Sequence, residues 1–101
     1  MRWEQVCKTA LAFSASRGAA IVHTPPGSVS YLTLLPKRST AEIVIERNNQ
    51  TTGSWYVRLT PSRARVAVSP VYFPPVSTPE ALTQALSEAW AVDRCMHSLP
   101  A

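Results

Sequence analysis

Glycine is scarce in this chain: Gly18, Gly27 and Gly53 are the only three in 101 residues, too far apart to build a phosphate-cradling loop. Histidine and cysteine are as thin. His23, His97, Cys7 and Cys95 would make a set of four ligands, but their spacing matches no paired zinc module. Cys95 and His97 lie close together with Asp93, yet residues two apart on a helix point roughly 200° away from each other. His97 also falls where the last helix should fray, so no nucleophile and base are paired there. Acidic residues number six. Glu42 and Glu46, four apart on one strand, stand ~13 Å from each other, too far to share a reacting bond. These absences predict a protein that is not an enzyme, with no catalytic residue, no cofactor and no metal.

Long apolar runs are missing too. No stretch approaches the ~20 residues of a membrane span. In "MRWEQVCKTALAFSASRG" Glu4, Gln5 and Lys8 interrupt the continuous apolar core that a secretory signal needs. The expectation is a cytoplasmic chain with no membrane partner. In that reducing compartment Cys7 and Cys95 should remain thiols, packed as small hydrophobes. Asn49-Gln50-Thr51 fits a glycosylation sequon and reads here as an ordinary turn.

What is present is the balance of a globular domain, with 46% apolar and 16% charged residues. Residues 1–101 form a single domain, which buries roughly two thirds of its unfolded surface without needing disulfides. The charge is uneven. Residues 1–78 hold nine Lys and Arg against Glu4, Glu42 and Glu46, a balance of +6; residues 79–101 hold Arg94 against Glu80, Glu88 and Asp93, a balance of −2. A basic body of this modest size suits an acidic protein surface or a polyanion.

The periodicity changes along the chain. Trp3, Val6, Cys7, Ala10 and Phe13 recur at helical spacing within residues 2–17, and Gly18 supplies a stop. Period-two segments follow at 19–24, 29–35, 41–47, 54–60 and 63–69. Between them lie "TPPGS", "PKRST", "NNQTTG" and Pro61-Ser62, all turn chemistry. The segment 69–79 holds four prolines and should cross the end of the sheet, with Val71, Tyr72 and Phe73 covering the core. A last helix then begins, with Ser77 and Glu80 at capping-box spacing and Pro79 in its first turn. Leu82, Ala85, Leu86, Ala89 and Met96 make its apolar side, flanked by Trp90. Short links demand antiparallel neighbours. The expected fold is α+β: an antiparallel meander of four to five strands, with N- and C-terminal helices packed on one face.

The alternation is clearest in "GSWYVRLTPSRARVAVSP", residues 53–70. Trp55, Val57 and Leu59, then Val66 and Val68, belong to a core. Tyr56, Arg58, Thr60, Arg63 and Arg65 face the other way, joined by Tyr31 and Thr33 from the second strand and Glu42, Val44 and Glu46 from the third. This outer face, with Tyr31, Tyr56, Arg58, Arg63 and Arg65, is either a polar face that stays wet, as antiparallel sheets commonly have, or the first candidate surface for a partner. Tyr72 and Phe73, pre-ordered by flanking prolines, are the second. The leading expectation is a small binding or regulatory protein, of the adaptor or inhibitor type that phages and plasmids carry. It would occupy a surface of a larger macromolecule, a protein or protein complex, and a homodimer through the sheet face fits the same pattern. The alternative is a nucleic-acid binder that stacks bases on the tyrosines and meets phosphates with the arginines. Glu42 and Glu46 on that face weigh against a strong phosphate track.

Overall fold

The computed structural model describes residues 1–23, 31–37, 41–60 and 69–97, in the order α1 (Trp3–Arg17), β1 (Ala20–His23), β2 (Tyr31–Leu35), β3 (Glu42–Arg47), β4 (Trp55–Thr60), β5 (Val71–Tyr72) and α2 (Pro79–His97). The five strands form one antiparallel sheet in chain order, β1-β2-β3-β4-β5. That is the α+β meander expected. Both helices pack against each other and lie on one face of the sheet.

α1 begins where the Arg2 N–H donates to the Gln5 side-chain oxygen at 2.9 Å, which satisfies a donor the helix cannot. Val6, Ala10 and Phe13 are buried at helical spacing, with Trp3 and Cys7 packed at their margins. The helix ends at Gly18, whose φ of 71° is left-handed and lets the next N–H, of Ala19, return to the Ser14 carbonyl at 3.0 Å. Ser14 is buried with its hydroxyl unpartnered.

In the sheet, Leu32, Leu34, Ile43, Ile45, Trp55, Val57 and Leu59 turn to the helices and are buried. The register places them side by side: Leu34 opposite Ile43, Ile43 opposite Leu59, Leu32 opposite Ile45 and Ile45 opposite Val57. Trp55 is only 2% exposed, tilts against Trp3 with centroids 5.4 Å apart, and donates its indole N–H to the Met1 carbonyl at 3.0 Å. The hairpin between β3 and β4 closes as its sequence requires. The Asn48 carboxamide oxygen accepts from the Gln50 N–H at 3.0 Å, and Gly53 takes a φ of 76°.

Three expectations need correction. The strand expected at 63–69 lies, but for Ser69, outside the described residues; the first correction concerns the segment 69–79, in which Val71–Tyr72 is a strand. Instead of crossing the end of the sheet, this segment runs along β4. Arg58 pairs with Tyr72, Leu59 with Val71, and the Phe73 N–H donates to the Val57 carbonyl at 3.0 Å. Trp55 and Val76 then exchange both backbone hydrogen bonds at 2.9 Å. From Arg58–Tyr72 to Trp55–Val76, β4 advances three residues and the edge four, so Pro74-Pro75 lies in a bulge. Prolines are tolerated there because the segment is an edge, where only alternate N–H groups are needed.

The second correction is the cap of α2, which is Thr78 and not Ser77. The Ala81 N–H donates to the Thr78 hydroxyl at 3.1 Å and the Leu82 N–H to the Thr78 carbonyl at 2.9 Å. Pro79 is therefore the first helical residue, where its missing N–H costs nothing. Leu82, Ala85, Leu86 and Ala89 are buried, and Trp90 meets Phe13 edge to face at 5.9 Å. The third correction is Cys95, which is exposed on α2. Cys7 is half-buried, and neither thiol is in a disulfide. Burial and the nearby Glu4 carboxylate push the Cys7 thiol above its ordinary pKa.

Candidate partner-binding face

With both helices on one side, the other side of the sheet is the surface left for contact. Its middle row crosses all five strands: Val22, Thr33, Val44, Arg58 and Tyr72 stand side by side by register. Four interstrand steps make this row about 19 Å long. Its two ends are open, Val22 being 50% and Tyr72 61% exposed. Its centre is closed, since Val44 is 3% exposed between Thr33 and Arg58. A neighbouring row brings Tyr31, Glu46 and Tyr56 to one register position.

Arg58 and Glu46 are diagonal neighbours on β4 and β3, and the Arg58 Nε lies 3.0 Å from the Glu46 Oε1. Both atoms are shielded from solvent, and they meet without the alignment of a hydrogen bond, as opposite charges in contact. Cross-strand pairs of this kind contribute roughly 0.2–1 kcal/mol. The larger consequence is for chemistry. The guanidinium at the middle of the face is already answered by a carboxylate.

The residues singled out in the sequence therefore divide. Tyr56 and Arg58 are half-buried on the outer face, and Tyr72 joins them from β5, directly opposite Arg58. Tyr31 lies in β2 opposite Glu46. Phe73, the residue after Tyr72, is half-buried and packs on the core. Arg63 and Arg65 lie outside the described residues. Val22 was not singled out from the sequence. Within "AAIVHT" every residue but the last two is apolar, so no alternation marked which one faced outward.

Elsewhere the surface offers little convergent chemistry. A groove of about 700 Å³ between α1 and α2 has Phe13 beneath it and Lys8, Arg17 and Glu80 around it. The Ser16 and Thr83 hydroxyls at its rim donate back to their own helix, to the carbonyls of Phe13 and Pro79. A second depression, of about 810 Å³, lies where α1 begins beside the β3–β4 hairpin, with the Arg47 guanidinium 5.3 Å from the Trp55 ring centroid. Among the described residues no three His, Cys, Asp or Glu converge as metal ligands, and no helix is long and apolar enough to cross a membrane. No family model, curated protein or solved structure matches this chain, so its functional reading rests on its own geometry.

Proposed function

We propose that this chain is a small non-enzymatic binding protein that acts by covering a surface of a larger protein partner with the outer face of its sheet. The observation that carries this reading is the Glu46–Arg58 contact at 3.0 Å, set in a face whose open ends are Val22 and Tyr72. A phosphate backbone would have to displace Glu46 to reach Arg58, and that carboxylate would then repel it. A protein surface gains from the same arrangement, because aromatic and apolar side chains around a satisfied ion pair lose little on desolvation.

The test is the double variant Tyr56→Ser, Tyr72→Ser, which spares the ion pair. It should stay folded and melt about 4–8 °C below the parent, since Tyr56 gives up only cross-strand contacts and Tyr72 is exposed. A protein captured by the parent from its native cell should be lost by this variant. Gel shifts with single- and double-stranded oligonucleotides across a salt series supply the opposing outcome. Tight, steeply salt-dependent nucleic-acid binding that the double variant loses would replace this reading with a nucleic-acid one. A parent dimer that the double variant returns to monomer would make the partner a second copy.

A further inference from the structure

The two edges of the sheet are not alike. β5 carries Pro70, Pro74 and Pro75 in and around it, with a bulge at Pro74-Pro75. Prolines bring no N–H and a bulge breaks the hydrogen-bond repeat, so this edge is closed to another strand. β1 is the opposite edge. Its residues Ala20–His23 pair with β2 on one side, and among the described residues none pairs on the other. The strand, four residues long, contains neither proline nor a Lys, Arg, Asp or Glu, two of the devices that guard an edge. In an antiparallel pair alternate residues aim both backbone groups at the neighbour, and the residues between aim theirs away. β1 thus directs a repeat of N–H and C=O groups outward beside Val22, which is 50% exposed.

We propose that the outer edge of β1 is a strand-addition site for an extended segment of a partner protein, with an apolar residue beside Val22 and an acidic residue beside Arg17 and Lys37. This rests on the protein-partner reading and names how such a partner would be held. The backbone repeat itself selects an extended polypeptide as occupant. Charge selects among polypeptides. Arg17 closes α1 just before β1, exposed and lying over the Phe13 ring, and Lys37 follows β2 at the same end. The Lys37 ammonium comes within 3.5 Å of where a Cβ on Gly18 would stand. The sheet's own acids, Glu42 and Glu46, are on β3, two strands in from that edge. A second copy of this chain would bring a net charge of +4 to these cations. An acidic strand from another protein answers them.

The experiment is a fluorescence-anisotropy titration of the full chain with a labelled, acetylated peptide alternating valine and threonine, with one glutamate at either end. Saturable sub-millimolar binding is expected for one of the two placements. Methylating the backbone nitrogens of alternate peptide residues should weaken binding at least about tenfold in one frame and be tolerated in the other, because only one set of N–H groups meets the edge. Val22→Lys should weaken it comparably while leaving the melting curve in place. Replacing glutamate by glutamine should weaken it severalfold at low salt and by less at high salt.

The proposal is overturned if the folded parent does not bind, if both methylation frames bind alike, or if Val22→Lys binds as the parent does. It is also overturned if the parent sediments as a dimer that Val22→Lys converts to monomer, since the occupant is then a second copy. A peptide that fails while a partner captured through Tyr56 and Tyr72 persists removes the edge and keeps the face. Frame-sensitive peptide binding with no Tyr56- or Tyr72-dependent partner does the reverse.

Discussion

Replacing Trp55 by alanine is the sharpest probe of which side of β4 is inside. The side chain is 2% exposed, stacks on Trp3, lies under the Arg47 guanidinium and donates its N–H to the Met1 carbonyl. Removing a buried large aromatic costs about 3–5 kcal/mol. The lost hydrogen bond adds roughly 1 kcal/mol to the penalty, because Met1 is tied to β4 through it. The sum falls at about 4–6 kcal/mol, against a total of about 5–15 kcal/mol for a domain of this size. Tyr56, the next residue, is half-buried on the opposite face, and Tyr56→Ala should cost about 1 kcal/mol through lost cross-strand contacts. Urea titrations followed by far-UV circular dichroism measure both. With a slope of about 1–3 kcal/mol per molar, Trp55→Ala should move the midpoint by more than about 1.3 M and Tyr56→Ala by no more than about 1 M. Trp55→Phe keeps most of the packing and should fall between them. Equal midpoint shifts for the two alanine variants would refute the assignment of faces.

Thr78→Ala should destabilise by about 1 kcal/mol and Ser77→Ala by almost nothing, read from thermal melts, because only Thr78 caps α2. Ser14→Ala should raise the melting temperature by several degrees, since it removes a buried hydroxyl that has no partner and improves helix propensity within α1. A lower melting temperature would mean that this hydroxyl is satisfied. With a thiol reagent followed by intact mass, exposed Cys95 should react first. Cys7 should lag most near neutral pH and gain as pH rises toward its elevated pKa, where its thiolate fraction grows. Equal rates throughout would contradict the burial of Cys7.

The element order and the core of β4 follow from local chemistry. Strict alternation over Trp55–Thr60 admits one inward set whatever the rest of the chain does, and short links forbid parallel pairing. Gly18 ends α1 because a left-handed φ is cheap only there, and "NNQTTG" makes a hairpin for the same reason. The outer row was legible where alternation was clean, at Thr33, Val44 and Arg58, and illegible at Val22, whose neighbours are equally apolar. Other features were decided by contacts distant in sequence. Val71–Tyr72 becomes a strand because β4 offers it a free edge, and no local propensity of a proline-rich segment predicts that. Thr78 caps α2 in place of Ser77 because the Val76–Trp55 pairing sets where the chain leaves the sheet. The Glu46–Arg58 contact, on which the proposal of a protein partner rests, exists only once β3 and β4 are in register. Residue types and their period set what each segment can bury, whereas register decides which charges and edges meet, because it depends on where two distant strands come to lie against each other.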